Sequence, residues 1–199
     1  PTRRSSDLPV SNAMPMNLAT VLTLGRIVMI PVLVLLFYAP WTWTHKAASM
    51  VFMVAALTDW LDGWVARRFD QASSFGAFLD PVADKLMVAV ALVLVLQRDP
   101  HSWLAIVCAV IIGREISISA LREWMAELGK RAMVRVGSLG KVKTIVQMVA
   151  LTMLLWRDNL WGIPIYAIGL VLLVAAAVLT LWSAAEYLRA AWRIVNPEQ

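Results

Sequence analysis

A single cysteine, Cys108, stands among 199 residues, so no intrachain disulfide can brace the fold. It lies in an apolar run, where it reads as a small buried hydrophobe and not as a reactive thiol. Internal repeats and low-complexity tracts are absent, and a length of 199 residues is expected to hold one helical membrane domain with no room for a second soluble one. Polar sequence is itself scarce: 60% of the residues are hydrophobic and mean hydropathy is +0.71. Soluble domains run at about 45–50% apolar. Several runs of roughly 20 mainly apolar residues mark membrane helices. The net charge of +5 would suggest nucleic acid only as a soluble patch; here it reads as contact with anionic lipid headgroups.

The opening residues, Pro1 to Ala13, do not read as native sequence. Arg3-Arg4-Ser-Ser-Asp7 resembles vector, and Ser11-Asn12-Ala13 resembles a tag-cleavage scar, so 1–13 is taken as an expression-tag remnant and Met14 as the natural start. No cleavable signal peptide is expected, because the first apolar run is long enough to remain as a span. Residues 14–199 are expected to form one all-α integral membrane domain of six transmembrane helices. The spans run from about Leu18 to Tyr38, Ala47 to Ala66, Phe75 to Leu96, Trp103 to Trp124, Leu139 to Trp156 and Ile163 to Leu188. Pro31 in the first is tolerated as a kink.

Cations set the expected orientation. With both ends on one side, that side holds Arg67, Arg68, Arg122, Lys130, Arg131, Arg135, Lys141, Lys143, Arg189 and Arg193, and the other only Lys46, Arg98 and Arg157. Positive loops stay cytoplasmic, which places both termini inside. Trp41, Trp43, Trp103, Trp156 and Trp161 cluster at the opposite loops, as an interfacial belt would.

Against this apolar background two stretches, Asp59 to Arg67 and Gly76 to Asp84, place four carboxylates at the ends of apolar segments: Asp59, Asp62, Asp80 and Asp84. Acids in a membrane span are costly and point to function. Asp59 and Asp62 share a helix face at i,i+3, as Asp80 and Asp84 do at i,i+4, and a short loop brings the two pairs opposite each other. They repel unless protonated or neutralised, and a divalent metal pair is the simplest counter-charge. Oxygen ligands with no nearby cysteine or histidine suit Mg²⁺ or Mn²⁺ and not zinc. Gly63 leaves room for a ligand against the backbone, Ala66 is small for the same reason, and Arg67 is placed to hold a phosphate. Paired metals beside cations suit phosphoryl chemistry. The plainer alternative is a set of surface acids at helix ends, with Asp80 capping ahead of Pro81.

The pattern Asp-x2-Asp-Gly-x2-Ala-Arg-x8-Gly-x3-Asp-x3-Asp, filled by Asp59, Asp62, Gly63, Ala66, Arg67, Gly76, Asp80 and Asp84, resembles the signature of the CDP-alcohol phosphotransferase family. The resemblance implies a six-helix membrane enzyme, commonly a homodimer, in the bacterial inner membrane with its site facing the cytoplasm. It implies two divalent ions, Mg²⁺ or Mn²⁺, on the four acids, and a CDP-lipid along Asp62, Gly63, Ala66, Arg67 and Gly76, with Thr23 adding a contact. Asp84 would act as general base on the incoming alcohol.

The signature leaves the acceptor open among serine, inositol phosphate, glycerol phosphate, choline and phosphatidylglycerol. Arg114 and Arg122 lie about 12 Å apart along one helix, close to one face. Lys141 and Lys143 open the next span, and cations converging on one cytoplasmic cavity favour an acceptor that carries a phosphate. Lys130, Arg131 and Arg135 read better as anchors to anionic lipid. The stretches Leu22-Thr23-Leu-Gly-Arg26, Gly76-Ala-Phe-Leu-Asp80-Pro-Val-Ala-Asp84-Lys85, Arg114-Glu-Ile, Ala120 to Lys130 and Gly140-Lys-Val-Lys-Thr144 resemble the branch of the family that uses glycerol 3-phosphate. In that branch Arg114, Arg122 and Lys141 would hold the acceptor phosphate, and the reaction would give phosphatidylglycerophosphate and CMP from CDP-diacylglycerol. Ala19-Thr20 departs from the Pro-Asn or Pro-Thr pair common there, which bears only on the start of the first helix.

Three rivals explain less. A prenyl transferase wants Asp-Asp-x2-Asp or Asn-Asp-x3-Asp pairs, which are missing. A metal-dependent transporter accounts for buried charge but not for the spacing of Gly, Ala and Arg. Gly137-x2-Gly140-Lys141 has the wrong spacing for a P-loop and no preceding strand.

Overall fold

The structure is a computed structural model that describes the backbone over residues 18–69, 74–127 and 138–195, and side chains over 21–59, 79–127 and 142–192. Among the described residues it contains six helices: α1 (Leu18–Tyr38), α2 (Thr44–Phe69), α3 (Ser74–Arg98), α4 (Ser102–Glu127), α5 (Ser138–Trp156) and α6 (Ile165–Val195). No strand occurs among the described residues, only an isolated bridge between Leu160 and Ile163. Trp161 and Gly162 adopt φ of 50° and 80° there, the paired left-handed conformations of a tight two-residue turn.

Every expected span has its helix. The largest departure is α6, which continues seven residues past Leu188 to Val195. Hydropathy marks where lipid contact ends, but a helix ends only where its backbone bonding does. Beyond Leu188, Ala190 and Ala191 pack with Tyr187 against Leu121 and Met125 of α4, a small second core that carries both helices onward together. Among the described residues three helices are long and apolar enough, by length and composition, to cross a membrane: α1, α4 and α6.

Neighbouring pairs close a ring in the order α1, α2, α5, α6, α4, α3 and back to α1, with α3 also touching α5. Each helix contributes a fully buried side chain to the main core: Leu33, Phe52, Leu92, Ile111, Leu151 and Leu173. The α5–α6 contact is close enough that a Cβ on Gly169 would lie 3.1 Å from Leu154 Cγ and 3.2 Å from the Ala150 carbonyl oxygen.

Antiparallel alternation gathers the α1–α2, α3–α4 and α5–α6 connections at one end of the ring. That end is tied by polar groups. Tyr166 donates its hydroxyl to Asp99 Oδ2 at 2.5 Å, and Asp158 accepts from Lys46 at 2.9 Å and from His45 at 3.1 Å. The Lys46 and His45 hydrogen bonds hold the Asp158 carboxyl below its ordinary range. Trp41, Trp43, Trp103 and Trp161 are exposed around this end, and Trp41 stacks on Trp43. Trp156 instead packs beneath Lys46 Nζ, 5.8 Å from its ring centre.

Candidate active site

The acids lie at the opposite end, toward the end of α2 and the start of α3, and α1 braces them. Arg26, 1% exposed, places Nη1 2.9 Å from Asp59 Oδ1, while the Asp59 side chain remains 40% exposed. Thr23, one turn earlier on the same face of α1, donates its hydroxyl to Asp80 Oδ1. One stripe of α1 thus holds one carboxylate from each acidic helix. Asp84, one turn beyond Asp80 and partly buried, lies within electrostatic reach of Asp59, Arg26, Glu115 and Lys85.

Asp62 follows Asp59 by three residues on α2. Its side chain, and those of Gly63, Ala66, Arg67, Gly76 and Lys141, lie outside the described residues. Among the described residues no group of three histidine, cysteine or acidic side chains converges closely enough to hold an ion. The donor set still fits a hard divalent cation: carboxylates only, drawn from two adjacent helices, with Asp59 and Asp84 close enough to repel. Arg26 supplies part of the counter-charge that the acids alone seemed to lack.

A second polar cluster is built by α4, α5 and α6. Arg114 donates from Nη2 to Ser183 Oγ at 2.9 Å and from Nη1 to Glu115 Oε1 at 3.2 Å. The same Glu115 oxygen accepts from Lys143 Nζ, on a side chain that is 5% exposed. Arg114 Nε is buried with no hydrogen-bond partner among the described residues, as are Gln147 Oε1 and Thr180 Oγ1. Arg122 lies over the Tyr187 ring at 5.3 Å, within electrostatic reach of both Arg114 and Lys143. Three of the four cations expected to serve the acceptor are therefore brought together.

Two participants escaped the sequence reading. Glu115 sits between Arg114 and Lys143, and also within electrostatic reach of Asp84 on the acidic side. Arg26 had appeared only as part of a resembling stretch, with no role. For both the signal was present, since a charged side chain deep in an apolar helix demands a partner.

Chemically, the arrangement sets a carboxylate cluster able to hold metal or accept a proton beside buried guanidinium and ammonium groups suited to a phosphate. The chain is similar to known proteins over most of its length. The sequence model described as CDP-alcohol phosphatidyltransferase matches residues 16–182. A Shigella flexneri serotype 5b (strain 8401) protein named CDP-diacylglycerol--glycerol-3-phosphate 3-phosphatidyltransferase is 56% identical over 178 residues, covering 89% of this chain and 96% of its own length. Proteins of the same name from Shigella boydii serotype 4 (strain Sb227) and Escherichia coli (strain K12) show the same identity and coverage. On the extent of both matches, the chain belongs to the CDP-alcohol phosphatidyltransferase family.

Proposed function

We propose that the protein transfers the phosphatidyl group of CDP-diacylglycerol to glycerol 3-phosphate, giving phosphatidylglycerophosphate and CMP for phosphatidylglycerol and cardiolipin synthesis. The observation that carries this reading is the juxtaposition of the Asp59, Asp80 and Asp84 cluster with Arg114 and Lys143, joined through Glu115. The names of the relatives support the same donor and acceptor.

In this reading residues 14–199 form one domain of six spans with cytoplasmic ends, in the inner membrane and as a homodimer. Asp59, Asp62, Asp80 and Asp84 would hold two divalent ions, Mg²⁺ or Mn²⁺, in keeping with a family that is generally metal-dependent. When bound, such ions supply Lewis-acid charge to phosphate oxygens. Asp62, Gly63, Ala66, Arg67, Gly76 and Thr23 line the nucleotide. Arg114, Arg122, Lys141 and Lys143 grip the acceptor phosphate and hold its hydroxyl near Asp84. Asp84 takes the hydroxyl proton, the freed oxygen bonds to the phosphorus that carries the lipid, and the bond to CMP breaks. Buried cations position the acceptor, so attack proceeds within a held complex instead of by collision.

Product formation by the purified protein tests this, with CDP-diacylglycerol, labelled glycerol 3-phosphate and Mg²⁺ or Mn²⁺. Serine, inositol phosphate and phosphatidylglycerol serve as rival acceptors. Metal-dependent phosphatidylglycerophosphate and CMP are expected. Reaction with another acceptor instead would overturn the roles given to Arg114, Arg122 and Lys143 while leaving the family chemistry in place.

A further inference from the structure

We infer that Glu115 is a positioning residue for the acceptor, acting through Arg114 and Lys143 and not by touching the substrate. The inference rests on the reading of those two cations as acceptor-phosphate ligands.

One oxygen, Glu115 Oε1, is shared by Arg114 Nη1 and Lys143 Nζ. Lysine carries a point charge on a long flexible stem, so holding its ammonium in one place costs rotamer entropy unless something anchors it. Glu115 is the anchor, and it joins α4 to α5. Arg114 is fixed at both terminal nitrogens, by Glu115 and by Ser183 of α6, which leaves buried Nε as its donor without a partner among the described residues. A guanidinium clamped on two corners cannot swing, so its three remaining N–H groups, that of Nε among them, point in fixed directions. The carboxylate also separates like charges: Lys143 lies within repulsive reach of Arg114 and Arg122. Without its charge the cations repel, Lys143 turns away, and the phosphate meets a looser site. Glu115 further stands within electrostatic reach of Asp84, so it bridges the acceptor cluster and the proposed base.

The test measures the KM for glycerol 3-phosphate and for CDP-diacylglycerol separately, with the full chain in detergent and metal. Glu115→Gln keeps the shape and removes the charge. It should raise the KM for glycerol 3-phosphate about tenfold, the usual scale for losing an orienting partner, and leave that for the donor within about twofold. Glu115→Asp should recover part of the loss. Combining Glu115→Gln with Lys143→Gln should cost clearly less than the sum of the two single losses, because part of the Glu115 effect passes through Lys143. An unchanged acceptor KM, equal increases in both KM values, or additive losses in the double variant would overturn the inference. Arg114→Gln and Lys143→Gln separate the two levels: if neither raises the acceptor KM, the acceptor reading itself falls. Should Glu115→Gln melt at markedly lower temperature, the glycerol 3-phosphate concentration for half-maximal thermal protection of the folded fraction decides instead. An unchanged value there also overturns the inference.

Discussion

Arg26 of α1 and Asp59 of α2 meet at 2.9 Å, and only the acid retains much exposure. A buried cation is paired with a carboxylate that can still face a ligand. Arg26 thus holds Asp59 at its place while tempering the repulsion among the acids.

Removing that cation should therefore injure more than packing. Arg26→Gln is expected to lower stability by about 2 kcal/mol, less than for a wholly buried pair because Asp59 is partly solvated. Asp59→Asn in the same chain should restore much of that stability but not the activity. Thermal unfolding of both variants in detergent checks this; equal melting of single and double variants would refute it.

The Thr23 hydroxyl restrains Asp80. Thr23→Val is expected to raise the Mn²⁺ concentration for half-maximal thermal protection by roughly tenfold, the range for losing a group that orients a metal-holding carboxylate. A titration of melting temperature against Mn²⁺ reads this without any turnover.

Asp84→Asn should lower turnover by at least about a hundredfold, as expected for a lost general base, while CDP-diacylglycerol still binds. Turnover and donor-induced thermal protection are measured on the same preparation. Full activity in this variant rules out the base.

At the far end, Asp158 is held below its ordinary range first by Lys46 and then by His45. A carboxyl depressed in the folded state stabilises above its unfolded value, near pH 4, and that contribution is lost as pH falls through the folded value. Asp158→Asn should leave melting nearly unchanged near its acid limit and lower it slightly at neutral pH, the effect being small at so exposed a site. Melting curves between about pH 3 and about pH 7 show whether the two proteins converge toward acid.

Much of this was readable before any coordinates. Apolar runs located all six helices, because in lipid the backbone must satisfy itself and hydropathy follows that demand closely. The acids of α2 and α3 announced themselves by contrast with their surroundings. What stayed hidden was pairing across helices. Neighbours on a helix point in different directions, so nothing in Arg114-Glu115 told that the acid would reach Lys143 on α5. Arg26 was visible as a buried charge, but its partner lies 33 residues away on another helix. The extension of α6 to Val195 was also out of reach, since it depends on the small core shared with α4.

The tight seam at Gly169 has leverage. Ser183, which clamps Arg114, lies 14 residues further along α6, about 21 Å from that glycine. A Cβ at 169 presses on the Ala150 carbonyl of α5, so the two helices must part by a few tenths of an ångström or tilt. A tilt of only about 3° would displace Ser183 by roughly 1 Å, more than a hydrogen bond to a guanidinium tolerates. Gly169→Ala would thus loosen the Ser183 clamp on Arg114 from the far side of the bundle, a fulcrum acting on a pair it never touches.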